Sequence, residues 1–208
     1  MKRTIVYLKY LMPLIAVAAF ALYLTSLSVF FVADGEVKRR QSPYSLADST
    51  YKAAVERLDK LSRDDEPDEL DRSFARRALA ATIAARAGLA ASAIISLWAA
   101  ALAVIGITAP QKSDTALNCK FLLRLTVPNK WCMALIPVLC LPYAALPEII
   151  KHLYIRYYGY NVKVGYHGPS PLLFLLILIA VCVALVFIAA PAERELHINA
   201  YSRTGGKG

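Results

Sequence analysis

The stretch "PLLFLLILIAVCVALVFIAA", Pro171 to Ala190, holds twenty residues without a charge. A helix made from it is apolar on every face, so it has no side to turn toward water. At about 1.5 Å per residue it matches a hydrocarbon core about 30 Å thick. Three other runs share this character. Tyr10 to Ala33 is uncharged over 24 residues, Ala87 to Ala109 over 23, and Trp131 to Pro147 over 17. The chain is 58% hydrophobic, against about 45–50% for a soluble domain. Its mean hydropathy is +0.46. The excess is gathered into these runs, which is the pattern of a multi-pass membrane protein.

The expected fold class is therefore all-α: an integral membrane protein with four transmembrane helices, the third proline-kinked, plus a short amphipathic helix in the first extramembrane segment. A basic head, residues 1–9, precedes a first span over 10–33. A polar segment follows over 34–77, then a second, Ala-rich span over 78–109. A basic connector, 110–130, leads to the third span, 131–150. A Tyr-rich connector, 151–168, leads to the fourth, 169–190, and a flexible tail closes the chain over 191–208. "AFA" at Ala19 to Ala21 offers a signal-peptidase site, but the apolar run continues twelve residues past it, longer than a signal peptide needs. The first run is read as a retained span.

Within the polar segment, Ala54, Leu58 and Leu61 recur at helical spacing in "YKAAVERLDKLSR", the expected amphipathic helix. "DDEPDELD", Asp64 to Asp71, lacks the glycine and trailing glutamate of a calcium loop. It suits a helix start instead, with Pro67 in the first turn, carboxylates complementing the dipole and Asp68 spaced to pair with Arg72. That helix is expected to run on into the second span, with Arg86 at its margin reaching back toward headgroups. "NVKVGY", beginning at Asn161, alternates weakly and fits a short strand.

Two features stand out as candidate sites. The second span repeats small residues every fourth position, at Ala80, Ala84, Gly88, Ser92, Ser96 and Ala100, a helix-packing face of the small-xxx-small kind. The third span carries Pro137, Pro142 and Pro147 as its kink. Each proline removes an N–H and frees the carbonyl four residues earlier, at Met133, Val138 and Tyr143. Those carbonyls need partners in lipid. A transport path would want an ionisable group at mid-membrane, and none stands between Lys130 and Glu148.

The formal net charge is +9, but the basic residues flank apolar runs and no nucleic-acid motif accompanies them, so no nucleic acid is expected. Cys119, Cys132, Cys140 and Cys182 form no C-x-x-C pair. His152, His167 and His197 show no metal spacing. No catalytic residues, cofactor or metal are expected. Glu148, His152 and Arg156 offer only a loose acid–base set for a lipid headgroup enzyme. Lys2, Arg3, Lys9, Lys112, Lys120, Arg124, Lys130, Arg194, Arg203 and Lys207 share one side if all four runs cross. Lys151, Arg156 and Lys163 face them, with ten more basic residues in the first polar segment. Treating that segment as a folded unit, the expectation is cytoplasmic termini in a plasma (inner) membrane.

In the second half, a proline-broken span, a short loop and an apolar span with a charged tail resemble in cadence small membrane proteins of conjugative DNA-transfer elements. The resemblance covers about a third of the chain and has no diagnostic motif. It implies other membrane subunits, or a second copy, as partners. The expected function is a non-catalytic subunit or accessory factor of a larger membrane assembly, with a secretion or conjugative-transfer type complex as the expected setting. The alternative is a small transporter or channel component.

Overall fold

The computed structural model describes residues 2–33, 36–63, 68–108, 130–159 and 161–204. The element order is α1 (Lys2–Ser26), β1 (Val29–Ala33), β2 (Glu36–Gln41), α2 (Pro43–Arg63), α3 (Glu69–Thr108), α4 (Lys130–Leu135), a 3-10 segment (Ile136–Cys140), α5 (Leu141–Tyr158), β3 (Val162–Tyr166) and α6 (Pro171–Thr204). Most of the chain is helical, and four helical stretches are long and apolar enough to cross a membrane. They are Val6–Ser26, Glu69–Ile105, Trp131–Tyr158 and Pro171–Arg194. Only 22% of the apolar window in the last is buried inside the protein, so its Leu173, Ile177, Phe187 and Ile188 require an apolar solvent.

The fold is not all-α. A three-stranded antiparallel sheet has the order β2-β1-β3. Its central strand is "VFFVA", expected to continue the first span. Helix α1 ends instead at Ser26, where Thr25 and Ser26 donate their hydroxyls back to the carbonyls of Leu22 and Tyr23, at 2.7 and 2.9 Å. Valine and phenylalanine then favour the pleated form once a partner strand is present. Against β3 the register runs regularly from Val29 opposite Tyr166 to Ala33 opposite Val162. Against β2 it shifts between Phe31 and Val32, a bulge. Gly165 faces Phe30, whose ring lies where a Cβ at Gly165 would stand. The strand expected in "NVKVGY" is present as β3.

Helix α3 is one 40-residue element from the acidic segment through the second span. Asp68 caps it, its carboxylate accepting the Leu70 N–H at 2.9 Å. Pro67, like Cys119 and the basic connector up to residue 129, lies outside the described residues. The third span divides at Ile136–Cys140. Its prolines have different roles: Pro137 lies in the 3-10 segment, Pro142 in the first turn of α5, and Pro147 inside it. In a first turn the missing N–H has no partner to lose. Gly159, at φ 66°, ends α5 by donating its N–H to Ile155 O at 3.1 Å. The tail expected to be flexible after Pro191 continues as helix to Thr204. A single proline costs one hydrogen bond, and the Ala, Glu, Arg and Leu around it are good helix formers.

Two compact units divide the chain, and several helices pass from one to the other. The first comprises Met1–Ala18, Ala91–Leu139 and Leu176–Gly208. Ala16, Ala134, Cys182 and Val186 form its buried cluster, with Leu178 and Val183 against it. The second comprises Ala19–Ala90 and Cys140–Leu175. It holds the sheet and a cluster of Ala54, Phe74, Ala78 and Leu153.

Candidate functional site

In the second unit, α2 lies along α3 and α5 through residues of helical spacing. Pro43, Leu46, Ala47, Ala54 and Leu61 are buried, while Lys52, Glu56 and Lys60 are exposed. Two tethers fix this helix. Arg86 of α3 donates to Asp48 at 3.0 Å and lies over the Tyr51 ring at 4.8 Å. Arg57 donates to the Tyr158 hydroxyl, which in turn donates to Asp71 at 2.5 Å. Hydrogen bonding from Lys52, with Arg86 adding to it, holds the Asp48 carboxyl below the usual carboxylate range.

Phe74 is the hub of an aromatic group. Its ring centroid is 5.3 Å from Tyr154, 5.9 Å from Tyr157 and 5.1 Å from Tyr158. The Arg57 guanidinium lies 5.5 Å from the same ring. Edge-to-face pairs of this kind contribute about 0.5–1.5 kcal/mol each beyond their buried area. Beside Phe74 a cleft of about 320 Å³ opens between α2, α3 and α5. Ala54, Phe74, Ala78, Ile150 and Leu153 supply buried apolar surface. Ser49, Thr50, Glu56, Arg57, Lys60 and Tyr154 supply the polar lining.

The expected packing face divides in the structure. Ser92, Ser96 and Ala100 are buried, Gly88 is half-buried, and Ala80 and Ala84 are exposed. A four-residue step turns a helix by about 400°, so five steps drift by about 200° and leave one face for another. Ser96 does not reach across to a neighbour: its hydroxyl donates to Ala93 O on its own helix at 3.0 Å. Pro137 and Pro147 are buried and Pro142 is half-buried. Of the loose acid–base set, Glu148 accepts from Lys151 at 3.0 Å and from the Tyr166 hydroxyl at 3.2 Å. Burial, then the Glu148 charge and hydrogen bond, push the Tyr166 phenol above the ordinary tyrosine range. His152 and Arg156 are exposed, and Arg156 lies 6.0 Å from the Tyr157 ring.

Two arrangements escaped sequence reasoning. In the first unit Lys9 of α1 donates to Glu193 of α6 at 2.7 Å, and the Lys9 side chain is 1% exposed. Nothing in the sequence links residues 184 apart. The sheet did leave a trace, since Asp34-Gly35 directly after the β-prone run Val29 to Ala33 is a hairpin dipeptide. Comparison with family models, curated proteins and solved structures finds no match to the chain. The class therefore rests on the chain itself: four helices of membrane-crossing length and composition make it a multi-pass integral membrane protein.

Proposed function

We propose that this is a non-catalytic membrane subunit or accessory factor of a larger assembly, of the secretion or conjugative-transfer type. Its place is the plasma (inner) membrane, with both termini in the cytoplasm. The observation that carries the reading is the outward stripe of α3. Ala80, Ala84 and Ala87 are exposed and stand within about 60° of one another on the helix. Small side chains there admit a second helix to close backbone distance. Ile83 lies beside the stripe and is exposed as well. The face thus suits another membrane helix.

Gentle detergent extraction followed by native mass measurement tests this. A stable complex, weakened by Ala84→Leu, is expected. A monodisperse monomer whose behaviour is indifferent to Ala84→Leu defeats the reading. Cysteine labelling from each side tests the orientation, using single cysteines placed at Lys2 and Lys163 in a background lacking the native thiols. Labels at Lys2 from the cytoplasm and at Lys163 from outside are expected.

One observation favours the transporter reading: the third span leaves α-helical form at Ile136–Cys140, beside Pro137. A bend there would serve as a flexible element. On that reading, Pro137→Ala with Pro142→Ala and Pro147→Ala abolishes flux while insertion persists, and unchanged flux removes it.

A further inference from the structure

We infer that the cleft beside Phe74 is a binding site for an anionic membrane phospholipid. This inference does not depend on whether the chain has protein partners. The lining has the composition of a site for an amphiphile. Ala54, Phe74, Ala78, Ile150 and Leu153 make an apolar floor, and Arg57 and Lys60 stand at the polar side, with Glu56 in the lining and Asp71 beside Arg57. Ser49, Thr50 and Tyr154 add hydroxyls. A volume of about 320 Å³ lies at the small end of ligand sites, about 300–1,000 Å³. It holds a headgroup and the first carbons of a chain, with the rest of the lipid left outside.

Position selects the occupant. Phe74 and Ala78 belong to the membrane-crossing stretch Glu69–Ile105, near its start. Ile150, Leu153 and Tyr154 belong to Trp131–Tyr158, near its end. Tyr154, Tyr157 and Tyr158 gather there, as tyrosines do at headgroup depth. At this depth the commonest molecule with an anionic head and an apolar body is a phospholipid. Arg57 is already held beside Tyr158 and Asp71. A guanidinium has five N–H donors, so it can hold those partners and still address a phosphate oxygen. Lys60 is exposed and supplies a second cation.

The test uses the full chain, delipidated in a mild neutral detergent, with bound lipid counted by native mass spectrometry. The probes are phosphatidylglycerol, phosphatidylcholine and inorganic phosphate. Phosphatidylglycerol is expected to be retained at least fivefold over phosphatidylcholine, taking one basic side chain near a surface as worth about that factor. Lys60→Gln should lower retention about fivefold. Ala53→Trp, at an exposed position lining the cleft, should block it without entering the core. Arg76→Gln removes an equal charge from outside the cleft and should change nothing. Equal retention of the two lipids by the unaltered chain overturns the inference, and so does loss in Arg76→Gln equal to that in Lys60→Gln. Inorganic phosphate displacing the lipid at equal concentration overturns it too, since that marks a site for free anions. The lipid comparison on the unaltered chain stands even if a variant fails to fold.

Discussion

Breaking the Lys9–Glu193 pair should cost different amounts depending on which partner is removed. The ammonium and carboxylate are 2.7 Å apart, and the Lys9 side chain is 1% exposed while that of Glu193 is 24% exposed. Glu193→Gln keeps the shape but takes the anion from a buried cation, with the Tyr10 ring 4.8 Å away among its remaining partners. Removing the counter-charge of a buried ion costs about 3–5 kcal/mol, and the remaining partners with the amide oxygen return part of that. The expected loss is about 2–3 kcal/mol. Lys9→Met fills the same space with an apolar stem, and Glu193 can turn toward water. That loss should be about 1 kcal/mol. The double variant should sit close to Lys9→Met, giving a coupling of at least about 1.5 kcal/mol. Reversible unfolding by sodium dodecyl sulfate in mixed micelles, followed by circular dichroism, measures all four proteins. Equal losses for the two single variants, or additive ones, would refute the reasoning, because either outcome means the lysine is not held dry.

Other outcomes follow from the second unit. Phe74→Ala should destabilise it by about 3–5 kcal/mol, read as a lower unfolding midpoint, since the ring is 8% exposed and touches three tyrosines. Gly165→Ala should cost about 1–3 kcal/mol by driving a methyl into the Phe30 ring, and pairing it with Phe30→Ala should restore part of the loss. The Asp48 tether has a defined pH dependence. Its folded pKa is depressed, so its contribution is present at neutral pH and is lost as pH falls below about 4. Hydrogen-exchange protection of α2, corrected for intrinsic rates, should drop there. In Arg86→Gln the drop should be smaller, because one of the two cations holding Asp48 is gone.

The helical spans were legible because lipid imposes a one-dimensional condition. A run long enough and apolar enough must form a helix, whatever its neighbours. Thus 171–190 and 87–108 declared themselves, and the start of α3 at Glu69 could be read from its acids. Where that condition relaxes, neighbours decide. Val29 to Ala33 is as apolar as the residues before it, yet it is a strand, because β2 and β3 lie beside it to complete its hydrogen bonds. The packing face shows the same boundary. A four-residue spacing marks small residues but cannot say which of them meet a neighbour, and the structure buries Ser96 while exposing Ala80.

Sequence by itself determined which runs of this chain are long and apolar enough to cross a membrane, because solvation acts on each segment separately. Only the tertiary structure decided that Lys9 meets Glu193, that Arg57 stands over Phe74 with Lys60 lining the same cleft, and that β1 pairs with the distant β3. Those depend on distance in space between residues far apart along the chain, and no local pattern encodes that distance.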